Sequence, residues 1–449
     1  MEESFLENEL FEKTPVEKAY IKLSLPLVLS MMVTMIYNLA DTYFIAATGN
    51  TDLVAGVSLC APVFTFLMAI GNIFGQGGTS LISRMLGQKN ADGVKRVSSF
   101  CFYAAILSGL VIGVLMLIFS GGLLKVLGAD SATIAHASEY YTVLAIGAPF
   151  TVLSFIHSNL LRSEGRSKES MITSISGAVF NIILDPILII GLGMGAKGAA
   201  IATVLGYLLS DVYALTVVLR KSENLSVIPS KAHISGAEAG QIFGIGVPAA
   251  IVNICSSVCM ILTNQYLLSY GNDKIAAMGI VLKVTMVVQL ILTGLAFGGQ
   301  PLIGYFYGAK NHERMKKLIR FSFTFLSAVA LILTLVIFLF APVILKAFMK
   351  EETLIRTGIM MLRWQVSSSI FAALVQLITI YFQSTGRMTG SFLLSISRQG
   401  VVFIAALIIL ANLFGFTGII TAQFTADLVS AIFAGALFYG QLYKHLIKD

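Results

Sequence analysis

Apolar stretches separated by short polar segments run through the whole chain of 449 residues. Each stretch is long enough to cross a bilayer as a helix, which takes about 20 residues. Strands of a membrane barrel would be shorter and would alternate strictly, so the pattern predicts helices. We predict twelve membrane-spanning helices, at about residues 20–46, 54–83, 97–124, 138–161, 169–194, 198–219, 240–269, 276–306, 319–345, 358–383, 390–413 and 418–442.

The polar segments between these spans predict the orientation of the chain. The even-numbered loops hold 15 Lys and Arg residues, whereas the odd-numbered loops hold 6. Because cytoplasmic loops carry the excess of positive residues, we expect the even loops and both termini to be cytoplasmic. The predicted domains are a cytoplasmic tail at 1–19, a six-helix bundle at 20–219, a cytoplasmic linker at 220–239, a second six-helix bundle at 240–442 and a cytoplasmic tail at 443–449.

The two sets of six spans resemble each other at a nearly constant offset. Matching residues, at offsets of 222, 221 and 220, are Pro26 with Pro248, Gly77 with Gly298, and Gly198 with Gly418. Because each half has an even number of spans, both halves insert the same way up. We therefore predict an all-α integral membrane protein with twelve transmembrane helices, in two six-helix bundles related by a pseudo-twofold axis along the membrane normal.

Composition supports a membrane protein and argues against a nucleic-acid partner. Hydrophobic residues make up 57% of the chain and charged residues 12%, whereas soluble proteins carry about 25% charged residues. The net charge is +7, but the basic residues lie in short loops between apolar spans. The four cysteines predict no disulfide framework, and we expect small, buried, reduced side chains instead.

The stretch from Asn181 to Pro186 carries the first candidate chemistry. Asp185 is the only ionisable residue between positions 171 and 194, and a carboxylate there is costly in the bilayer. Asn181 lies four residues earlier, so both side chains share one helical face. Pro186 lacks an N–H and should disfavour helical geometry at Asp185. Two interpretations stand: a site for a proton or small cation, or a buried acid that a neighbouring helix satisfies.

Two further polar residues are predicted to lie at the same membrane depth as Asp185. Asp41 lies near the outer end of the first span, and Thr203 near the outer start of the sixth. All three are roughly 8–14 Å below the outer ends of their helices. At the repeat offsets Asp41 aligns with Thr263, Asp185 with Ala406 and Thr203 with Gln423. The pair of acids therefore occurs only in the first half. The pattern favours a coupling-ion site.

On these motifs the chain resembles the multidrug and toxic compound extrusion (MATE) family of secondary transporters, prokaryotic branch. The residues that carry the resemblance are Leu25–Pro26, Asp41, Tyr43–Ile45, Gly87–Asn90, Asn181–Pro186 and Gly198–Ala200 leading to Thr203. The resemblance implies export of amphipathic, mostly cationic compounds by cation antiport and alternating access. It implies an ion site in the first half, formed by Asp41, Asn181, Asp185 and Thr203 with the Ala199 carbonyl.

The same resemblance implies the coupling ion and the partners. The chain departs from one branch of the family, and this departure argues against an ion site in the second half. Another branch of the family has carboxylates in helices 7 and 10, but residues 240–269 and 358–383 contain none here. We expect H⁺ or Na⁺ as the coupling ion, no cofactor, small amphipathic cationic drugs or metabolites and membrane lipids as partners, and a monomer. The expected location is the bacterial cytoplasmic membrane.

Two rival functions compete with export. A flippase for lipid-linked precursors would need several cations around its cavity, whereas the deep cations are only Lys283, Arg363 and Arg398. An intramembrane enzyme would need a nucleophile with its base, or a metal pair. The spans hold no such motif apart from Asp41 with Asp185, so we expect no enzyme.

A buried ion pair is expected in the second half. Lys283 and Asp427 lie at similar depth, within roughly one helical turn of each other. Each is costly alone in the bilayer interior, so the sequence predicts that they pair and fix the packing of the second bundle. Arg363 is the main competing partner for Asp427, and a gating or substrate-binding role for Asp427 is the alternative.

Overall fold

Residues 9–448 are described by a computed structural model, which gives no side-chain detail for residues 447 and 448. Positions 1–8 and 449, parts of the two predicted tails, lie outside the described residues. The described chain is helical without strands. Eleven of its helices are long and apolar enough to cross a membrane: α1 (Val16–Ala46), α2 (Thr51–Gly87), α3 (Ala91–Ile118), α4 (Ile134–Ser163), α5 (Ser167–Gly191), α6 (Gly195–Lys221), α7 (Gly236–Leu268), α8 (Asn272–Gly308), α9 (His312–Phe348), α10 (Glu352–Ser384) and the segment Met388–Leu446.

The segment Met388–Leu446 contains two spans, which brings the described total to twelve. Its backbone is non-helical at Gly415, where φ is +57° and ψ is −130°. Glycine tolerates this conformation because it has no Cβ. We therefore divide the segment into α11 (388–414) and α12 (416–446), in agreement with the predicted break between residues 413 and 418.

The chain forms two compact units. The first contains residues 29–246 with the described part of the chain before residue 15, and the second contains residues 15–28 and 247–448. Helix α1 therefore begins in the second unit and continues in the first, whereas α7 begins in the first unit and continues in the second. The domain boundaries predicted from loop composition, at 219 and 240, stay predictions.

In the first unit, α4 is the central helix. It packs against α2, α3, α5 and α6, and its membrane window is 67% buried. Gly109 and Gly113 of α3 allow this close packing, because a Cβ at Gly113 would lie 2.4 Å from the carbonyl oxygen of Ala145. Small residues spaced four apart are a common means of bringing membrane helices together.

In the second unit, α10 has the same central role. It packs against α8, α9 and α12, and its membrane window is 61% buried. The start of α1 joins this unit through the Tyr20 hydroxyl, which donates to the carbonyl of Leu295 on α8 at 2.8 Å. A Cβ at Gly298 would lie 2.3 Å from the Ser24 Cα, so the two backbones are in close contact.

Helix α5 keeps its helical geometry at Asp185, which corrects the prediction made from Pro186. Asp185 has φ −51° and ψ −58°, and the chain continues as a π-helical segment, Pro186–Gly191. The wider π turn accommodates the proline ring and its missing N–H. The proline therefore widens the helix after Asp185 instead of ending it there.

We expect Gly246→Ala to destabilise the protein and Gly240→Ala to leave it unchanged or slightly more stable. A Cβ at Gly246 would lie 2.0 Å from the Ile73 carbonyl oxygen, and such overpacking costs about 1–3 kcal/mol. A Cβ at Gly240, on the same helix, meets nothing within 4 Å. Thermal unfolding of the detergent-purified variants, followed by circular dichroism, provides the measurement. Equal melting temperatures for the two variants would contradict the close contact.

Candidate functional site

The polar residues predicted in the first half lie on three helices of the first unit. Asp41 lies on α1, Asn181 and Asp185 on α5, and Thr203 on α6. Asp185 is fully buried, and Asn181 and Thr203 are only 2% and 3% exposed. The Asn181 Nδ2 donates to the Thr203 Oγ1 at 3.4 Å, which links α5 to α6.

Glycines bring α5 and α6 close enough for this link. A Cβ at Gly177 would lie 2.5 Å from the Gly206 carbonyl oxygen, and one at Gly206 would lie 2.8 Å from the Gly177 carbonyl oxygen. The contact lies one turn from Asn181 and Thr203. Ala199, also fully buried, lies one turn before Thr203 on α6. The short distance between the helices therefore excludes bulkier side chains from this level.

Four oxygens of this cluster are buried without a hydrogen-bond partner among residues 9–448. They are the Oδ1 of Asp41, the Oδ1 of Asn181, and both carboxyl oxygens of Asp185. Buried polar groups normally have partners, so each such oxygen needs an explanation. In addition, Asp41 and Asp185 are close enough to interact electrostatically, and neither forms an ion pair with any described Lys or Arg.

Three tyrosines that the sequence did not single out complete the cluster. Tyr37 forms side-chain hydrogen bonds with Thr203 and Tyr207, and it interacts electrostatically with Asp41 and Asp185. Tyr140 and Tyr207 also interact electrostatically with Asp41. One signal was available: Tyr37 precedes Asp41 by four residues and so shares its helical face. Nothing in the sequence pointed to Tyr140 or Tyr207.

A cavity of about 310 Å³ opens beside the acids. Tyr37, Asp41, Tyr140 and Thr203 are among its lining residues, whereas Asn181 and Asp185 are not. Asp41 and Thr203 therefore meet the cavity directly, and Asp185 lies behind them. Carboxylate, amide and hydroxyl oxygens at this depth can bind a proton or a small hard cation.

Beyond this cluster, the first unit buries Asp211 beside a histidine. The His157 Nδ1 lies 3.4 Å from the Asp211 Oδ1, and both side chains are buried. From the sequence alone, the roles of both residues stay open between a proton relay and a structural polar residue. The structure places them together, between α4 and α6, with the Phe102 ring 5.5 Å from the imidazole.

In the second unit Asp427 pairs with Arg398 and not with Lys283, which corrects the predicted pair. The Arg398 Nε donates to the Asp427 Oδ1 at 2.8 Å, and the Gln423 Nε2 donates to the Oδ2 at 3.0 Å. Lys283 is an exposed residue of α8. Its helix packs on α10, whereas Arg398, in the π-helical segment Ser397–Val401 of α11, reaches Asp427 on α12. Similar depth did not make Lys283 and Asp427 neighbours.

Both halves of the chain match the same protein-family model. The MatE model matches residues 26–187 and again residues 248–409. Each boundary of the second match lies 222 residues after its counterpart in the first. The family unit therefore occurs once in each half, which confirms the internal repeat predicted from Pro26 and Pro248.

Two curated relatives are similar along nearly the whole chain. The chain is 32% identical over 429 residues to the Multidrug export protein MepA of Staphylococcus haemolyticus (strain JCSC1435), covering 96% of this chain and 94% of the relative. It is 33% identical over 429 residues to the Multidrug export protein MepA of Staphylococcus aureus (strain MRSA252), covering 96% and 95%.

Solved structures share the fold. A crystal structure of MATE in complex with MaL6 has a TM-score of 0.91 at 25% identity and covers 98% of this chain and 99% of its own. An outward-facing conformation of a multidrug resistance MATE family transporter also has a TM-score of 0.91, at 24% identity over 98% of each chain. These matches confirm the predicted fold class of twelve helices in two bundles.

We expect Arg398→Met to destabilise the protein by about 3–5 kcal/mol, because it leaves the fully buried Asp427 without its cation. The double variant with Asp427→Leu should recover most of that loss, since the unpaired charge is gone. Lys283→Met, a matched control at an exposed position, should have little effect. Thermal unfolding of all three purified variants checks these outcomes. A double variant no more stable than Arg398→Met would contradict the pairing.

Proposed function

The chain belongs to the MatE family, and we propose that it is a secondary multidrug exporter that couples cation entry to the efflux of amphipathic, mostly cationic compounds. The coupling cation is H⁺ or Na⁺, and the chain needs no cofactor. It works as a multi-pass protein of a bacterial cytoplasmic membrane, with both termini in the cytoplasm. The relatives are named as export proteins, so the chain is a transporter and not an enzyme.

One observation carries this proposal: the fully buried Asp185 interacts electrostatically with the half-buried Asp41, whose Oδ1 is buried, and neither acid forms an ion pair with a described Lys or Arg. Two carboxylates close together in a low dielectric cannot both stay charged at low cost. A proton shared between them, or a bound Na⁺, would offset the repulsion. The pair is therefore suited to take up one cation from outside and to lose it again when the conformation changes.

The neighbouring groups suit either cation. For Na⁺, the oxygens of Asn181, Thr203 and the Ala199 carbonyl would supply neutral ligands beside the two acids. For H⁺, the hydroxyls of Tyr37 and Thr203 can orient whichever carboxyl oxygen carries the proton. In both cases Asp41, at the cavity wall, is the first acid that an entering ion meets. We assign Asp185 as the principal coupling carboxylate because it is the more deeply placed of the two.

Flippase activity for lipid-linked precursors remains the second candidate, and the charges of the cavities disfavour it. An anionic headgroup would need a cluster of cations. The first-unit cavity is lined by no Lys or Arg, and the cavity of the second unit by Arg398 alone, within the described residues. The cavity beside Asp41 instead favours substrates that carry positive charge.

Replacing Asp185 by Asn should strongly reduce gradient-driven efflux without loss of expression, because the amide keeps the shape but cannot titrate. We expect a fall of about 5- to 150-fold, the range that coupling energies of about 1–3 kcal/mol give. The assay is efflux of a fluorescent cation from everted vesicles, with a pH gradient and a Na⁺ gradient imposed separately. Asp52→Asn, an exposed acid at the start of α2, is the matched control. Wild-type efflux by the Asp185 variant would refute its assignment.

Cysteines placed at positions 41 and 185 should cross-link if the two acids act together, because their electrostatic interaction requires them to be close. The experiment needs a background in which the native cysteines 60, 101, 255 and 259 are replaced. Cysteines at 181 and 203, whose native side chains are 3.4 Å apart, form the positive control. Linking is detected by mass spectrometry after treatment with short bifunctional reagents. If only the control pair cross-links, the prediction that Asp41 and Asp185 lie close together is wrong.

A further inference from the structure

The second unit contains a larger cavity, about 610 Å³ in volume. This volume lies in the range of small-molecule sites in proteins. Its wall combines side-chain amides and hydroxyls with a flexible apolar part, which includes Met260, Met278, Met286 and Phe403. The charged residues of its lining are Arg398 and Asp427. An amphipathic organic molecule would find both polar and apolar partners there.

The internal repeat makes this cavity the counterpart of the one beside Asp41. At offsets of 222, 221 and 220, residues from three helices line both cavities: Asp41 and Thr263, Phe64 and Thr285, Thr203 and Gln423. The two halves thus enclose equivalent spaces. The larger one is a duplicated feature of the fold and not an accidental gap in packing.

The charges of the two cavities are different. At the same offsets Arg398 aligns with Gly177 and Asp427 with Tyr207, so the second half has a guanidinium where the first has a glycine at the contact between α5 and α6. Asp41 and Asp185, in and behind the wall of the first cavity, form no ion pair with a described Lys or Arg, whereas Asp427 and Arg398 in the wall of the second cavity bind each other. The second cavity is therefore not a copy of the cation site.

Within the Arg398–Asp427 pair, only the arginine can bind a ligand. The Asp427 side chain is 1% exposed, and both of its oxygens accept hydrogen bonds, from Arg398 and Gln423. The Arg398 side chain is 18% exposed, and among residues 9–448 its hydrogen bonding is limited to the Nε. The two terminal nitrogens of the guanidinium therefore have no hydrogen-bond acceptor among residues 9–448, and Arg398 is one of the residues that line the cavity.

We propose that the cavity of the second unit binds the carboxylate of an amphipathic organic molecule, with Arg398 as the recognising group and Asp427 as the residue that positions it. A guanidinium presents two parallel N–H donors that match the two oxygens of a carboxylate. The amides of the wall can accept and donate around the rest of the polar end, while the methionines pack on the apolar end. This site would extend the proposed substrates from cationic compounds to anionic or zwitterionic drugs.

This inference rests on the proposed export function only where it calls the bound molecule a substrate. Binding to the purified protein needs no gradient and no transport, so the two proposals can fail separately. Loss of gradient-driven efflux of a cationic dye would overturn the proposed function. Loss of carboxylate selectivity in binding would overturn the second site.

The chain provides its own fluorescent donor for the test. Trp364 is the single tryptophan of the sequence, and it follows Arg363 directly before the cavity residue Gln365. Its ring packs edge-on against Phe424 at 5.2 Å, and Phe424 follows the cavity residue Gln423. A dansyl group bound in the cavity would therefore accept energy from Trp364.

The experiment compares dansylglycine with its uncharged methyl ester, using the full chain in dodecyl maltoside and energy transfer from Trp364. We expect the wild-type protein to bind the carboxylate at least about tenfold more tightly than the ester, as hydrogen bonds to a charged group imply. In the double variant Arg398→Gln/Asp427→Asn, which leaves no unpaired charge, the preference should fall to about twofold or less. Lys283→Met, which removes a deep cation outside the cavity lining, should keep the wild-type preference.

A second variant covers the case in which the double variant does not purify as a monodisperse protein. Arg398→Lys keeps the positive charge beside Asp427 but loses the paired donors, so its preference for the carboxylate should drop by several-fold. Equal affinity of the wild type for acid and ester would overturn the proposal. So would an undiminished preference in the Arg398 variants, or loss of preference in Lys283→Met.

Discussion

The carboxyl oxygens of Asp185, buried without a hydrogen-bond partner among residues 9–448, are the constraint on which the first unit depends. In a bilayer a charged group without a partner is costly, so its position must be fixed by the packing around it. Gly177 and Gly206 supply that packing, because they let α5 and α6 approach until Asn181 reaches Thr203. The helix also widens after Asp185 and does not break, which keeps the carboxyl in place.

The sequence is sufficient to predict most of the fold because membrane helices are long, apolar and separated by charged loops. The break near Gly415 and the repeat offset of 222 both follow from the order of residues alone. The side-chain neighbours do not. Nothing in the sequence distinguishes Tyr140 and Tyr207 from the other tyrosines, and only the packing of α4 and α6 places them beside Asp41.

The error at Lys283 has a physical reason. Depth along a helix follows from counting residues, but the face that a residue presents depends on which helices are neighbours. Helix α10 packs against both α8 and α12, and α8 is not the helix that brings a cation to Asp427. The π-helical segment Ser397–Val401 shifts the faces of α11 and presents Arg398 to Asp427, and the apolar periodicity of the span does not predict such a segment.

Burial alone does not separate a structural acid from a functional one, since Asp185 and Asp427 are both fully buried. Their partners do. Asp427 accepts hydrogen bonds from the Arg398 guanidinium and the Gln423 amide, so both of its oxygens are satisfied. Binding and release of an ion at Asp427 would require these bonds to break. Asp185 has a second acid as its charged neighbour and no donor on either oxygen among the described residues. The same duplicated fold thus places Asp185 where it can bind a cation, and places Asp427 where it positions the Arg398 guanidinium.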